Sequence, residues 1–207
     1  ALSSIMAFTK TLFLSLLAVL SVNTIAIAPI HAVGVGETWT SYTPSTSSGW
    51  RSVAYGNGIF VAVGEIGGAG TGDIMTSQDG ATWTSQTTPV TAEWTSVAYG
   101  NGIFVVVSDE DFAKDRLTST DGTTWTRQTS TTFDSWQALT FNDGIFMAIG
   151  IEDIGSSNSR VIITSPDGIN WSTQSSWSGT TTWSSIAFGN NKFVAVGGIA
   201  SWGGPYP

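Results

Sequence analysis

The order of apolar and polar residues divides the chain into two unlike parts. Residues 11–30 form one nearly continuous apolar run, which follows Lys10. From residue 33 onward, apolar residues instead come in short segments separated by pairs such as Asn57-Gly58. Short apolar segments bounded by Asn-Gly or Asp-Gly predict β-hairpins, because both central residues of a type I′ turn need a positive φ. The pattern therefore predicts an all-β domain over residues 33–207.

The short segments recur as a repeat. Each copy opens with a tryptophan, and successive tryptophans are 44, 42 and 47 residues apart. The four openings are Trp50, Trp94, Trp136 and Trp183. A period of about 40 to 50 residues with short β segments predicts a β-propeller built from four-stranded antiparallel blades. About three and a half blades are visible, so we expect a fragment of a larger ring, with a strained four-bladed ring as the alternative.

Residues 37–43 resemble an isolated fourth strand. Thr38 to Tyr42 aligns with Thr82 to Gln86. Trp39 precedes Trp50 by 11 residues, the same separation as that between Trp83 and Trp94. Propellers commonly close by letting one terminus supply a strand that the other terminus lacks. We therefore expect this segment to be an outer closing strand, in a longer parent chain that ends after a third strand.

Residues 1–32 have the order of a secretory signal, with Met6 as a plausible start. Lys10 is followed by the apolar run and by Ile30-His31-Ala32, which fits a cleavage site after Ala32. An alternative site after Ala28 is disfavoured because Pro29 would follow the cut. The other interpretation is an uncleaved membrane anchor, since the run approaches the roughly 20 residues needed to span a bilayer. We expect a protein that is secreted or held at the cell surface.

Composition excludes several classes of function. The net charge is −8, with only seven basic residues, so the chain has no electrostatic footprint for nucleic acid. An acidic surface does not attract an anionic membrane, so an uncleaved anchor is the one contact with a membrane that we predict. The chain has no cysteine, and its single histidine, His31, lies in the signal segment. Residues 33–207 therefore cannot assemble a Ser-His-Asp or Cys-His mechanism or a typical zinc site.

Each of the first three copies also carries the pattern Ser-x-Asp-Gly-x-x-Trp. The residues are Ser77, Asp79, Gly80 and Trp83; Ser119, Asp121, Gly122 and Trp125; and Ser165, Asp167, Gly168 and Trp171. The pattern resembles the Asp box of the bacterial neuraminidase repeat propellers, although the usual motif has one more residue between Asp and Gly. We name these segments the Asp-box turns. The resemblance implies a structural hairpin between the third and fourth strands, on the opposite face from any active site.

The opposite rim, formed by the 2–3 and 4–1 connections, is where the copies differ in sequence. Its aromatic residues could stack on a sugar or anchor a protein, or tuck back onto the blades. They are Trp177, Trp202, Phe112 and Phe133, all predicted in loops. Its acidic residues are weak candidates for a Ca²⁺ site, with solvated loop charge as the alternative. They are Asp109, Asp111, Glu152 and Asp153.

These observations favour an exported binding or scaffold module that recognises a glycan or an extracellular protein. No catalytic residue and no cofactor is predicted, with Ca²⁺ as the one open possibility. The alternative is the front part of a sialidase-like or other glycoside hydrolase whose catalytic groups lie partly downstream. The F/Y-R-I-P signature of sialidases is absent, and Asp111 with Glu152 is a conceivable carboxylate pair that nothing singles out. A purely structural repeat is the third interpretation.

Overall fold

The fold is entirely β in the residues that the structure, a computed structural model, describes. Those residues are 5–7, 40–46, 48–66, 71–109, 115–129, 133–153, 158–178 and 181–199. Within these ranges no helix is long and apolar enough to cross a bilayer. The all-β class predicted from the hairpin pattern is confirmed.

Three groups of four consecutive strands form antiparallel sheets in which each strand pairs with the next one along the chain. These sheets are blades 1 to 3, as the repeat predicts. Blade 1 contains β3 (Gly49–Gly56), β4 (Ile59–Ile66), β5 (Thr71–Ser77) and β6 (Thr84–Gln86). Blade 2 contains β7 (Trp94–Gly100), β8 (Ile103–Ser108), β9 (Asp115–Ser119) and β10 (Thr126–Thr129). Blade 3 contains β11 (Phe133–Asn142), β12 (Ile145–Asp153), β13 (Asn158–Ser165) and β14 (Ser172–Ser178).

The fourth copy is represented by a two-stranded sheet of β15 (Thr181–Gly189) and β16 (Lys192–Ile199), which we call blade 4. The remaining two strands, β1 (Ile5–Ala7) and β2 (Thr40–Tyr42), pair with each other. The expected closing segment, residues 37–43, therefore contains a strand, but its described partner is β1 rather than the outer edge of a blade. Most of the predicted signal, residues 8–32, lies outside the described residues.

The hairpins between first and second strands have the turn type that the sequence predicts. Both central residues have positive φ in each of the four copies. The pairs are Asn57-Gly58, Asn101-Gly102, Asp143-Gly144 and Asn190-Asn191. Type I′ turns match the twist of the strands that they connect, which is why these pairs fix the register of each hairpin.

Blades pack face to face in chain order. We call the face of a blade toward the preceding blade its leading face, and the opposite one its trailing face. Between blades 1 and 2, Val61 and Val63 of the trailing face contact a core that includes Trp94 and Phe104 of the leading face. Between blades 2 and 3, the core includes Val105 and Val107 on one side and Trp136, Leu139 and Phe146 on the other. The second strand of blade 2, β8, is buried on both faces, as its apolar sequence predicts.

In blades 1 and 2, a glycine at the end of the first strand receives an aromatic ring from the next blade. A Cβ added at Gly56 would lie 2.0 Å from Cγ of Tyr99, and one added at Gly100 would lie 2.1 Å from Cγ of Phe141. Real side chains cannot approach so closely, so only glycine fits these two positions. The ring and its glycine form a plug and a socket that set the spacing between blades.

Two kinds of polar contact repeat at the same junctions. The backbone N–H of Val97 donates to Ser52 Oγ at 3.2 Å, and the N–H of Leu139 donates to Ser96 Oγ at 3.1 Å. The second contact comes from the hairpin asparagines, whose Nδ2 donates to a carbonyl of the next Asp-box turn. Asn57 donates to the oxygen of Thr120 at 3.2 Å, and Asn101 donates to that of Pro166 at 2.7 Å. The junctions of blades 1 and 2 and of blades 2 and 3 therefore combine apolar packing with directional hydrogen bonds.

Candidate functional site

The Asp-box turns are the most regular polar feature of the described residues. In the first turn, Asp79 Oδ1 accepts hydrogen bonds from the N–H groups of Ala81 and Thr82 at 2.8 and 2.7 Å. Ser77 Oγ donates to the same oxygen at 2.9 Å and accepts from the N–H of Gly80 at 2.8 Å. The indole N–H of Trp83 donates to the carbonyl oxygen of Gly80 at 3.1 Å. The carboxylate and the hydroxyl thus satisfy the backbone donors of the turn.

The second and third turns repeat the bonding of the carboxylate and the serine hydroxyl, and Trp171 repeats the indole bond, but the buried indole N–H of Trp125 has no hydrogen-bond partner among the described residues. Asp121 accepts from the N–H groups of Thr123 and Thr124 at 2.8 and 2.7 Å. Asp167 accepts from Ile169 and Asn170 at 2.9 and 2.8 Å. The shared carboxylate bonding of the three turns supports a structural role for the motif, because each carboxylate is already occupied by donors of its own turn.

The type of turn differs from the sequence prediction, which gave Asp-Gly here the same type I′ geometry as the Asn-Gly pairs. Only the glycine has a positive φ, with 74° at Gly80, 72° at Gly122 and 71° at Gly168. The preceding aspartate keeps a negative φ because its side chain must fold over the following N–H groups. The prediction of a tight two-residue turn is therefore wrong at these three positions.

The hydrogen bonds hold the three carboxylates in the ionised form. The pKa of Asp79 lies well below its ordinary value because the N–H groups of Thr82 and Ala81 and the hydroxyl of Ser77 stabilise the charge. The pKa of Asp121 is lowered mainly by the N–H groups of Thr124 and Thr123. The pKa of Asp167 is lowered mainly by the backbone and side-chain N–H groups of Asn170. Such groups are poor proton donors near neutral pH.

Acid should weaken the turns in a predictable way. A carboxylate whose pKa is depressed on folding contributes stability that is fully present above its unfolded pKa of about 3.9 and is lost as the pH falls through the folded value. We expect Asp121→Asn to lower the urea midpoint at pH 7, and we expect this difference to shrink below about pH 4. Urea unfolding from pH 7 to pH 3 measures it. Parallel curves over that range would contradict the assignment.

On the opposite rim, Glu65 and Asp73 of blade 1 make contacts within the fold. Glu65 accepts a hydrogen bond from Arg51 Nη2 at 2.6 Å. Ser48 Oγ donates to Asp73, and this serine is itself buried. The first contact joins β3 to β4, and the second joins the segment before β3 to β5. Glu65 and Asp73 are therefore both hydrogen-bonded to residues in or next to blade 1.

Asp109 joins blade 2 to blade 3. It forms an isolated bridge with Ser135, whose hydroxyl donates to Asp109 Oδ1, and Gln137 Nε2 donates to the same oxygen at 3.1 Å. Of the other Ca²⁺ candidates, Asp111 lies outside the described residues, and Glu152 and Asp153 are placed only by their backbone at the end of β12. The described residues contain no group of three or more His, Cys, Asp or Glu that could hold a metal ion.

Trp177 lies in a strand, not in the loop that the sequence predicts. It belongs to β14, where it pairs with Arg160 of β13. Its half-buried ring meets Trp183 of blade 4 edge-on, with centroids 5.5 Å apart. Phe133 also starts a strand, β11, instead of lying in a loop, and only its backbone is described. The remaining two aromatic candidates, Phe112 and Trp202, lie outside the described residues.

A buried arginine extends the junction of blades 2 and 3. Arg116 and Arg160 lie at equivalent positions within β9 and β13, and both are buried. The guanidinium carbon of Arg116 lies 5.4 Å from the ring centroid of Trp171 in blade 3. A cation over an indole ring is attracted by the negative face of the ring. This contact ties the third strand of one blade to the Asp-box turn of the next.

A polar groove of about 550 Å³ opens between the first two Asp-box turns. Asp79, Asp121, Thr84 and Gln86 are among its lining residues. A smaller groove of about 220 Å³ occupies the equivalent place between the second and third turns. Neither lining includes an aromatic ring, so these grooves offer hydrogen bonds without a flat apolar surface for a ligand to stack on.

The comparisons with known proteins establish the fold. No protein-family profile matches the chain, and no curated protein sequence matches it. Among solved structures, the chain is similar to one from a nidogen/laminin complex, with a TM-score of 0.53 and 11% identity over 77% of this chain and 61% of that one. This likeness and the sheet topology show an all-β, partial β-propeller.

Two further structures have lower TM-scores. Trypanosoma rangeli sialidase has a TM-score of 0.48 and 12% identity over 78% of this chain and 35% of that one. Bombyx mori GH32 beta-fructofuranosidase has a TM-score of 0.47 and 12% identity over 73% of this chain and 42% of that one. The chain thus spans less than two thirds of the length of each of these three neighbours.

Proposed function

We propose that this chain is an exported binding module of the β-propeller class, related to the Asp-box propellers, that recognises a glycan or an extracellular protein. The proposed binding surface is the rim of the 2–3 and 4–1 connections. The observation that carries the proposal is the half-buried pair of Trp177 and Trp183 at this rim. Partly exposed indole rings provide flat apolar surface for a sugar ring or for a protein side chain.

The polar groups near this rim suit recognition better than chemistry. Gln137 and Asp109 present an amide and a carboxylate at the junction of blades 2 and 3, next to the connections that differ among the copies. Ligand sites commonly combine apolar surface with a few placed polar groups. The net charge of −8 favours neutral or basic partners over nucleic acid.

Replacing Trp177 with alanine tests the proposal. We expect Trp177→Ala to weaken binding at least about tenfold, which corresponds to about 1.4 kcal/mol and is modest for a buried aromatic anchor. Trp177→Phe should retain part of the affinity because it keeps a flat ring. The measurement is binding of the purified chain to an array of immobilised neutral and sialylated glycans.

The matched control is Ile169→Ala, which removes an exposed apolar side chain from the Asp-box rim. It should bind as the unaltered chain does, and all variants should keep the same circular dichroism spectrum. Unchanged binding by Trp177→Ala and by the Trp177→Ala, Trp202→Ala double variant would reject this rim as the site. An array on which no glycan binds would reject a glycan as the ligand.

The alternative, a part of a glycoside hydrolase, stays a prediction. A retaining or inverting hydrolase needs two carboxylates about 5 to 9.5 Å apart, one of them available to donate a proton. The described rim acids Glu65, Asp73 and Asp109 each accept a hydrogen bond from a scaffold group. A parent protein that releases no product from sialosides or plant glucans would count against the alternative.

A further inference from the structure

The third Asp-box turn carries a short sequence that the other two turns lack. Asn170, Trp171 and Ser172 have the form Asn-x-Ser with a residue other than proline in the middle, which is the acceptor motif for N-linked glycosylation. None of the other asparagines of the chain has a serine or threonine two residues later. The motif therefore marks a single position, where the turn meets the start of β14.

Both side chains that define the motif lie on the surface. Asn170 and Ser172 are exposed, whereas the ring of Trp171 between them is half-buried. Trp171 is held from the inside, since its indole N–H donates to the carbonyl oxygen of Gly168 at 3.0 Å and Arg116 lies over its ring. A glycan is bulky and hydrophilic, so it must remain on the surface of the folded protein. The exposed amide of Asn170 meets this condition.

The hydrogen bonding of Asn170 is compatible with an attached sugar. Its Nδ2 donates to Asp167 Oδ2 at 2.8 Å. An asparagine amide has two N–H donors, and an N-linked sugar replaces the hydrogen of only one of them. The remaining N–H is available to Asp167, so the turn can keep its bond to the carboxylate after modification.

The other copies show that the turn itself does not require an asparagine at this position. In the first turn the equivalent residue is Thr82, whose hydroxyl donates to Asp79 Oδ2 at 3.1 Å, as the amide of Asn170 does in the third turn. In the second turn the equivalent residue is Thr124. Threonine therefore satisfies the same carboxylate, and the third copy differs by the amide that a glycan needs.

We propose that Asn170 is the acceptor of an N-linked oligosaccharide, attached as the chain passes through the secretory pathway. In this reaction Nδ2 forms a bond to the anomeric carbon of an oligosaccharide that is carried on a lipid diphosphate. The bond between that carbon and the diphosphate oxygen breaks, and the lipid diphosphate leaves with the electron pair. The amide proton passes to a base of the transferring enzyme. The inference rests on the export that the proposed function includes.

The glycan would stand on the Asp-box rim, away from the proposed binding rim. Trp177 lies five residues beyond Ser172 on the same strand, which at about 3.3 Å per residue is roughly 16 Å. The sugar would instead lie beside Ile169, an apolar side chain that is 49% exposed. Glycosylation at Asn170 therefore leaves the proposed ligand surface open and adds hydrophilic cover to the opposite rim.

Secretion of the full chain by a eukaryotic cell tests the inference. We expect the secreted chain to gain the mass of one oligosaccharide. A peptide N-glycosidase should remove that mass and convert Asn170 to aspartate, which peptide mass spectrometry locates. Ser172→Ala should abolish the gain in mass, and Ser172→Thr should retain it. Both variants keep Asn170 and should give the circular dichroism spectrum of the unaltered chain, because the side chain at position 172 is exposed.

The repeat also supplies a variant that gains a site. Thr124→Asn places the motif in the second turn, where Thr126 already provides the hydroxyl two residues later. Because the two turns share their carboxylate bonding, we expect this variant to carry two oligosaccharides and to double the gain in mass.

The possible failures of this experiment are distinguishable. A chain that is secreted without an oligosaccharide, or one whose modification survives Ser172→Ala, would overturn this inference and leave the proposed binding function standing. A chain that stays inside the cell unmodified would overturn this inference together with the proposed export. A glycosylated chain that binds nothing on the glycan array would support this inference and reject only a glycan as the ligand.

Discussion

Replacing Gly100 with valine is expected to lower the free energy of unfolding by about 3 kcal/mol, the upper end of the usual cost of overpacking. An added Cβ at this position would lie 2.1 Å from Cγ of Phe141. The ring of Phe141 cannot retreat, because it packs on the buried Phe146 with centroids 4.6 Å apart. Blades 2 and 3 must therefore separate, and urea unfolding measures the loss.

The same substitution at Gly189 is the control that the repeat provides. Gly189 occupies the equivalent position in blade 4, where an added Cβ meets no described atom within 4 Å. Gly189→Val should therefore change the stability of the single chain by less than about 0.5 kcal/mol, as surface substitutions usually do. Equal losses at Gly100 and Gly189, measured at low protein concentration, would show that the socket does not determine the packing.

Phe104→Ala is expected to cost about 3 to 5 kcal/mol, the range for a large aromatic residue removed from a core. Phe104 is completely buried in the core between blades 1 and 2, and its ring contacts Tyr99 at a centroid distance of 4.6 Å. Removal leaves a cavity that the surrounding strands cannot fill, since both faces of β8 are already packed. Loss of stability in urea, with the slope of the transition unchanged, is the expected result.

Phe193 tests whether burial, not residue type, sets that cost. It holds the same repeat position in blade 4 and makes the equivalent ring contact, with Phe188 at 4.7 Å, but it is only partly buried. Phe193→Ala should therefore cost less than half as much as Phe104→Ala. A Phe193→Ala variant as damaged as Phe104→Ala would show that the two positions share one cooperative core.

The repeat and its hairpins could be predicted because their causes are local. Asn57-Gly58 and Asn101-Gly102 need positive φ at both residues, and few other pairs tolerate this conformation. The second strands could be placed because a run such as Ile103–Ser108 is apolar at nearly every position. These signals depend on neighbouring residues in sequence, so a single copy suffices to recognise them.

The errors arose where contacts between blades decide the outcome. Trp177 extends a strand because its ring meets Trp183 from the next blade. Arg116 is buried near Trp171, and no pattern within one copy indicates that contact. The error at Asp121 is local instead: the sequence indicated a turn, but side-chain acceptance of two N–H groups of the same turn selected a different turn type.

The plug and socket also bear on how such a chain can change over time. A tandem duplication of the 44-residue or the 42-residue unit in the gene would insert a blade that already carries a matching ring on one side and a matching glycine on the other. The insertion would need no compensating change in its neighbours. We therefore expect the insertion or deletion of such a repeat to destabilise the fold less than the single substitution Gly100→Val.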